Sequence, residues 1–262
     1  MYGENHMTWE SAKNINLSME PWNENTYYYI MEALRGSNKK QRGALIVLEG
    51  LDRAGKSTQC AFLQKTLQEE GHEVKYRRFP DRTTEIGKLI NAYLMQNAQL
   101  DDHSIHLLFS ANRWEAAAEI QRDISDGMTV IIDRYSYSGA VYSAAKNIPG
   151  LSLEWAWQPE IGLPQPDIWL FLNISPEEAA KRGGYGEERY ENDAFQTRIR
   201  QLFQELVARE DPNNVHVVDA GRAESEVALD VIRAARRTIE EIKGTDSLKR
   251  LAALSHPASS LS

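Results

Sequence analysis

One cysteine in 262 residues, Cys60, is too few for an internal disulfide or a cysteine-built zinc site, and it suits a reducing compartment. It falls one turn into a helical stretch, where a small packing residue is its plain role. A basic excess is missing as well. Thirty Lys and Arg face 38 Asp and Glu, giving a net charge of −8 and a pI near 5.4. A general nucleic-acid binder needs a basic face, so no nucleic-acid partner is expected. No apolar run approaches the ~20 residues of a membrane span, so no membrane partner is expected either. The opening Met-Tyr-Gly-Glu-Asn-His has neither the basic-then-apolar pattern of a signal peptide nor the Arg-rich pattern of a transit peptide, which points to the cytoplasm, with the nucleus as a second compartment. There is no internal repeat. What remains, 42% hydrophobic and 26% charged residues, is the composition of an ordinary soluble domain with one substantial core.

The pattern divides the chain in three. Residues 1–41 are polar with scattered aromatics at Trp9, Trp22 and Tyr27 to Tyr29, and run into a polar Gly36-to-Gln41 stretch; they read as a poorly ordered extension, with a helical turn over 32–35 and room for a partner-binding arm. Residues 42–243 form the domain. The stretch 244–262, rich in Ser, Ala and Pro, has no core-facing pattern and is expected to be disordered. Within the domain, apolar runs predict strands over 44–49, 73–79, 129–133, 167–173 and 215–219, each followed by helical periodicity. Strands separated by helices imply right-handed crossovers: a five-stranded parallel α/β sheet covered on both faces. Ligands bind beyond the carboxyl ends of such strands, so the informative residues should follow each strand.

After the first strand, Gly50 to Ser57 fits G-x-x-x-x-G-K-[ST] between a buried strand and a helix carrying Phe62, Leu63 and Leu67. Gly50 and Gly55 let successive N–H groups turn toward phosphate oxygens at the positive end of the helix. Lys56 can then reach the β/γ-phosphates and Ser57 can ligate Mg²⁺. After the second strand come Asp81 and Arg82, after the third Asp133 and Arg134, and between the fourth and fifth Arg182, Arg189, Tyr190 and Gln196. That is more cationic fork than one nucleoside triphosphate requires. Arg82 and Arg134 suit a second phosphate, or each pairs with a carboxylate (Asp81; Asp133 or Glu49). Asp133 has the position of a carboxylate that holds Mg²⁺, or one bonded to Ser57. Phe109 and Arg113, four apart on one helical face, suit a flat base: the ring stacks and the fork reads an acceptor on its edge, unless Phe109 is core. The other face, with Leu107, Leu108 and Ala111, is core or a subunit contact. Gly183 to Gly186, flanked by arginines, reads as a mobile lid or a static loop.

Taken together, Gly50-Leu-Asp-Arg-Ala-Gly-Lys-Ser-Thr58, Arg78-Phe-Pro-Asp-Arg82, Leu108-Phe-Ser-Ala-Asn-Arg-Trp-Glu115, Asp133-Arg-Tyr135, Gly162-Leu-Pro-Gln-Pro-Asp167 and Glu188-Arg-Tyr-Glu191 resemble thymidylate kinases of the eukaryotic type, from about Arg42 to Ile242. The resemblance implies a P-loop nucleoside monophosphate kinase fold, transfer of the γ-phosphoryl of ATP to dTMP with Mg²⁺, and a homodimer. It assigns Gly50, Asp52, Arg53, Ala54, Gly55, Lys56, Ser57, Thr58, Arg182 and Ala220 to ATP, with the 219–221 segment near adenine. Asp52, Phe79, Arg82, Phe109, Arg113, Arg134, Ser138, Gly139, Tyr142, Tyr190 and Gln196 fall to dTMP, and Ser57 and Asp133 to the metal. By this resemblance Phe109 stacks on thymine, Arg113 donates to O4, Gln196 binds the base edge, Arg82 and Arg134 hold the dTMP phosphate, Asp52 takes the 3′-hydroxyl and Tyr190 crowds the sugar. Arg53, Lys56, Asp133 and Arg134 form the catalytic set, Arg53 stabilising the transferring phosphoryl group. Tyr142 stands where a Phe is expected, which adds a polar contact beside the pyrimidine methyl; Tyr185 likewise replaces an apolar aromatic. Among rivals, a deoxynucleoside kinase would use a carboxylate base after the second strand, where Asp81 stands beside a better-suited arginine. A GTP-driven switch wants an Asn-Lys-x-Asp signature that is absent, and a non-catalytic scaffold would not need Lys56, Ser57, Asp133 and Arg53 intact.

Overall fold

The computed structural model describes residues 41–182, 190, 193–242 and 247–255. The expected extension over 1–41 (except Gln41), the lid with Tyr185 and Arg189, and the last seven residues lie outside the described residues.

Five strands, β1 (Leu45–Gly50), β2 (Val74–Arg78), β3 (Thr129–Asp133), β4 (Ile168–Asn173) and β5 (Val215–Asp219), form one sheet in the order β2-β3-β1-β4-β5, with every pairing parallel. Helices α1 (Lys56–Glu69), α2 (Glu85–Leu94), α3 (Asp102–Ser125), α4 (Ser136–Ala144), α5 (Leu153–Trp157), α6 (Pro176–Lys181), α7 (Asp193–Arg209) and α8 (Glu224–Glu241) supply the crossovers, with a 3₁₀ turn at Gln158–Glu160. This is the expected α/β architecture.

The sequence explains which strand lies where. β1 reads Leu-Ile-Val-Leu-Glu-Gly and is buried along its whole length, as a central strand covered on both faces must be. The edge strands β2 (Val-Lys-Tyr-Arg-Arg) and β5 (Val-His-Val-Val-Asp) are polar and partly exposed. Helix starts coincide with side-chain caps: Thr84 accepts from the Gly87 amide, Asp101 from His103 and Ser104, and Ser152 from Trp155. Arg42 donates to Asp167 through both terminal nitrogens (2.9 and 2.7 Å), and Asp167 also accepts from the Leu45 amide, which fixes the start of β1 beside β4. The chain leaves β1 toward β2 and leaves β4 toward β5, so the connections diverge and a crevice opens at the carboxyl end of β1. A second, smaller apolar cluster of Ile90, Tyr93, Leu94 and Ile105 ties α2 to α3 on one side of it.

One expectation is overturned. Part of the stretch from 244 onward is built into the fold: Leu251 is buried in the main core, and residues 249–251 run antiparallel to 162–165. The Gly162 amide donates to the Leu251 carbonyl and the Leu251 amide to the Leu163 carbonyl, both at 2.9 Å. The segment buries Leu251 and packs Leu248 and Leu254, partly buried, against the same core, among Lys, Arg and Ala; much of its order comes from backbone pairing that composition does not register. Among the described residues no helix is long and apolar enough to cross a membrane.

Candidate active site

The loop from Gly50 to Ser57 wraps the amino end of α1. Gly50 has φ +144°, and a Cβ there would meet the Leu172 carbonyl oxygen at 2.5 Å, so the loop passes over β4 at a distance only glycine permits. Lys56 is buried and donates to the carbonyls of Leu51 (2.5 Å) and Gly50 (3.2 Å), which curls the loop around its own ammonium. Burial, reinforced by the charge of Arg134, pulls its pKa down to about 8. The Ser57 hydroxyl donates to Asp133 Oδ2 at 2.5 Å, linking the loop to the end of β3. Asp133 is fully buried, and its Oδ1 has no hydrogen-bond partner among the described residues.

Arg134 follows with φ +68°, a left-handed turn that redirects the chain from β3 into α4. Glu49, at the end of β1, stabilises that turn: its buried carboxylate accepts from the amides of Tyr135 (2.8 Å) and Ser138 (3.0 Å) and from the Ser138 hydroxyl. Burial raises the Glu49 pKa, partly countered by those hydrogen bonds and by Arg134. Glu49 therefore caps α4 and aims the Arg134 side chain at the cleft. Arg134 ion-pairs with Asp52 and donates to the Gly50 carbonyl (3.2 Å), Ser138 (3.3 Å) and the Tyr142 hydroxyl (3.1 Å). Its partner among the acids is thus Asp52, in the phosphate loop. Asp52 also accepts from Tyr142 (3.0 Å) and from Gln196 Nε2 (2.8 Å). Burial alone would raise the pKa of Asp52, but Arg134 and then Lys56 outweigh it and hold the carboxyl below its usual range.

Beyond this network the cleft is lined by Phe79, Pro80, Arg82, Leu94, Phe109 and Arg113, with Tyr190 closing one wall; it measures about 800 Å³ including its mouth. That is within the size range of small-molecule sites. Arg82 is exposed and donates to Asn91 at 2.9 Å. Phe109 is half-buried and lines the cleft, and Phe79 packs against Tyr135 with ring centroids 5.8 Å apart. Tyr190 stacks on Phe195 (5.3 Å) and meets the edge of Tyr142 (5.8 Å).

Arg113 is buried and donates Nε and Nη2 to Glu160 at 2.7 and 2.6 Å, leaving Nη1 as the nitrogen not committed to that carboxylate. Burial acts to raise the Glu160 pKa, but Arg113 prevails and lowers it, so the pair is ionic. Gly139 makes room for it: a Cβ there would stand 2.4 Å from Arg113 Nη2. Glu160 is the residue that sequence reasoning missed. It follows no strand and belongs to no motif, and only its distance in space from Arg113 reveals it.

On the far side of the phosphate loop, Arg182 donates to the carbonyls of Arg53 (3.0 Å) and Ala220 (2.6 Å), bridging the loop to the end of β5. Arg53 has φ +65° within the loop, Ala54 is buried, and Thr58 is exposed in the first turn of α1. The structure thus brings the candidate residues to one end of the sheet: Arg182 and Ala220 on one flank, Arg113 and Phe109 on the other, Asp52 between them. Ser57 and Asp133 offer hard oxygen donors, and the partnerless Oδ1 of Asp133 fits a divalent cation. Among the described residues no cluster of three or more His, Cys, Asp or Glu forms a complete metal cage, so such an ion would draw its other ligands from phosphate and water.

A family model described as thymidylate kinase matches residues 48–231. Among curated relatives, the thymidylate kinases of Danio rerio and Homo sapiens are each 49% identical over 191 residues, covering 73% of this chain and 89% of theirs. That of Arabidopsis thaliana is 57% identical over 170 residues, covering 65% of this chain and 64% of its own. The solved structure of a Candida albicans thymidylate kinase, described as having broad substrate specificity, superposes with a TM-score of 0.73 at 38% identity, covering 80% of this chain and 99% of that one.

The depressed pKa of Lys56 generates a test with a fixed sign. Protonated below about 8 and neutral above it, the side chain gives up its charge as pH rises, so nucleoside triphosphate affinity should fall. Titration calorimetry should show a flat dissociation constant below that pH and up to a tenfold rise per unit above it, about one proton's worth. An affinity unchanged to about pH 10, where an ordinary lysine titrates, would contradict the burial argument.

Proposed function

The chain belongs to the thymidylate kinase family and phosphorylates dTMP to dTDP with ATP as donor, and we propose that the cleft at the end of β1 carries out this transfer with the residues described above. The observation that carries the reading is Asp52. It lies in the triphosphate loop, yet pairs with Arg134 and accepts from Tyr142 and Gln196, so donor and acceptor pockets share one wall.

On this reading Gly50 to Thr58 cradle the ATP phosphates, while Arg182 and Ala220 flank the adenine. Arg134 and Arg82 hold the dTMP phosphate, which sets its attacking oxygen near the γ-phosphorus. Phe109 stacks on thymine, Arg113 offers Nη1 to the O4 edge, and Phe79, Ser138, Gly139 and Tyr190 complete the walls. Asp52 and Gln196 orient the deoxyribose and base. Phosphoryl transfer has a loose transition state with charge on the equatorial oxygens, so catalysis is positioning plus charge neutralisation. Lys56, Arg53 and Arg134 are the cations available for that. Ser57 and Asp133 would hold Mg²⁺, which would supply positive charge to offset that of the donor phosphates.

Base choice follows from edges. Thymine presents an acceptor at O4, whereas cytosine presents an amino donor that would leave Arg113 Nη1 unmatched at a cost of about 1 to 3 kcal/mol or more. An ADP-release assay with ATP, Mg²⁺ and each of dTMP, dUMP, dCMP, UMP and thymidine should give a strong dTMP signal, a weaker dUMP one and almost none with dCMP or thymidine. Turnover of thymidine would mean that Arg82 and Arg134 do not hold a substrate phosphate; equal rates with dCMP and dTMP would overturn the role of Arg113.

The homodimer belongs to the same proposal. Leu107 and Trp114 on α3 are 47% and 42% exposed and, with Ala111 between them, form an apolar stripe one and two turns apart. Sedimentation equilibrium should find a dimer in the unmodified chain and a monomer in Leu107→Glu; a Leu107→Glu chain that remains dimeric would move the interface elsewhere.

A further inference from the structure

The segment from Lys249 to Ser255 lies outside the sequence resemblance and has no role in the chemistry above, yet it is pinned along its length. The Gln165 amide donates to the Lys249 carbonyl (2.9 Å), and Gly162 and Leu163 pair with Leu251. Arg250 donates to the Gly162 carbonyl and to Gln121 Oε1 on α3, both at 2.7 Å, and the Trp157 indole donates to the Ala252 carbonyl at 2.8 Å. The Ser255 hydroxyl donates to the Arg209 carbonyl at the end of α7 (2.7 Å), and Leu251 is buried.

Every partner between Trp157 and Gln165 belongs to the short segment that carries Glu160. From the other side, α3 holds the same segment: Ser110 and the Trp114 indole both donate to the Pro159 carbonyl, at 3.1 and 2.7 Å. Glu160 therefore sits on a strip of chain gripped between α3 and the C-terminal strap, and its two oxygens set the plane of the Arg113 guanidinium.

We propose that the strap Lys249–Ser255 is a positioning element for pyrimidine recognition: by fixing residues 157–165 it fixes Glu160, and through Glu160 the nitrogen that Arg113 turns toward the base. This rests on the reading that Arg113 meets the base edge. A planar fork tolerates little misalignment, because both bonds to Glu160 share one plane and a displaced carboxylate rotates the whole guanidinium. Errors of about 1 Å in a binding group are enough to weaken recognition. Among the described residues these strap hydrogen bonds go to residues 157–165, Gln121 and Arg209, none of them in the phosphate loop, so the effect is confined to the acceptor side. The grip from Ser110 and Trp114 persists without it, so the loss is graded and not complete.

The test uses the full chain with Leu251→Ala and, separately, Arg250→Ala, compared with Arg113→Lys. Either strap variant should raise the KM for dTMP about 5-fold or more, while kcat and the KM for ATP stay within about 2-fold. In the Arg113→Lys background, Leu251→Ala should add no further rise, because the strap acts through that guanidinium. KM values for ATP and dTMP rising together would mean general loosening and overturn the proposal. So would a dTMP KM unmoved in both strap variants, or an undiminished effect in the Arg113→Lys background. If Arg113→Lys alone leaves the dTMP KM unchanged, the base-edge reading fails first, and the strap proposal falls with it.

Discussion

Two cations at the end of a parallel sheet, Lys56 buried and Arg134 half-buried, repel each other, and the architecture of this cleft depends on the carboxylate between them. Lys56 and Arg134 come from different crossovers, one from the loop after β1 and one from the turn after β3, and Arg134 is among the causes that depress the Lys56 pKa. Asp52 offsets both charges: it ion-pairs with Arg134 and helps keep Lys56 protonated. Removing one member of such a buried set leaves an uncompensated charge, which typically costs about 3 to 5 kcal/mol. The same carboxylate orders Tyr142 and Gln196, so the wall of one pocket is the floor of the other.

Much of this was legible in the sequence because it is local. An apolar run ended by glycine and a loop with lysine and serine at set spacing are patterns of neighbouring residues, and the strands fall within a few residues of where the apolar runs put them. Strand ends then led to Asp133, Arg134 and Arg82 without any knowledge of contacts. What escaped is pairing across distance. Glu160 lies 47 positions from Arg113, outside every motif of the sequence, and no spacing rule connects the two. Arg134 could have paired with several acids by sequence alone, and only the fold selects Asp52. The strap escaped for the opposite reason: its composition argues for disorder, while its order comes from backbone hydrogen bonds, the buried Leu251 and the partly buried Leu254.

The second arginine shows how selectivity can be built from a buried ion pair. Locked to Glu160 through two nitrogens and pressed against Gly139, the Arg113 guanidinium is held in one plane with Nη1 outside the pair. On the proposed reading, such a fixed donor would penalise the wrong base more than a mobile one can. Tyr142 extends the principle to the phosphate side, since its hydroxyl donates to Asp52 while accepting from Arg134, so that both partners are held in register.

The central claim is that Asp52 and Arg134 act as one unit spanning both pockets. The direct measurement is a double-mutant cycle on kcat/KM for dTMP with Asp52→Asn, Arg134→Lys and the combined variant. Coupling predicts that the double variant is little worse than the more damaged single one, with an interaction energy of about 1 to 3 kcal/mol. Losses that simply add would mean the two side chains work independently, and the shared-wall account of the cleft would not stand.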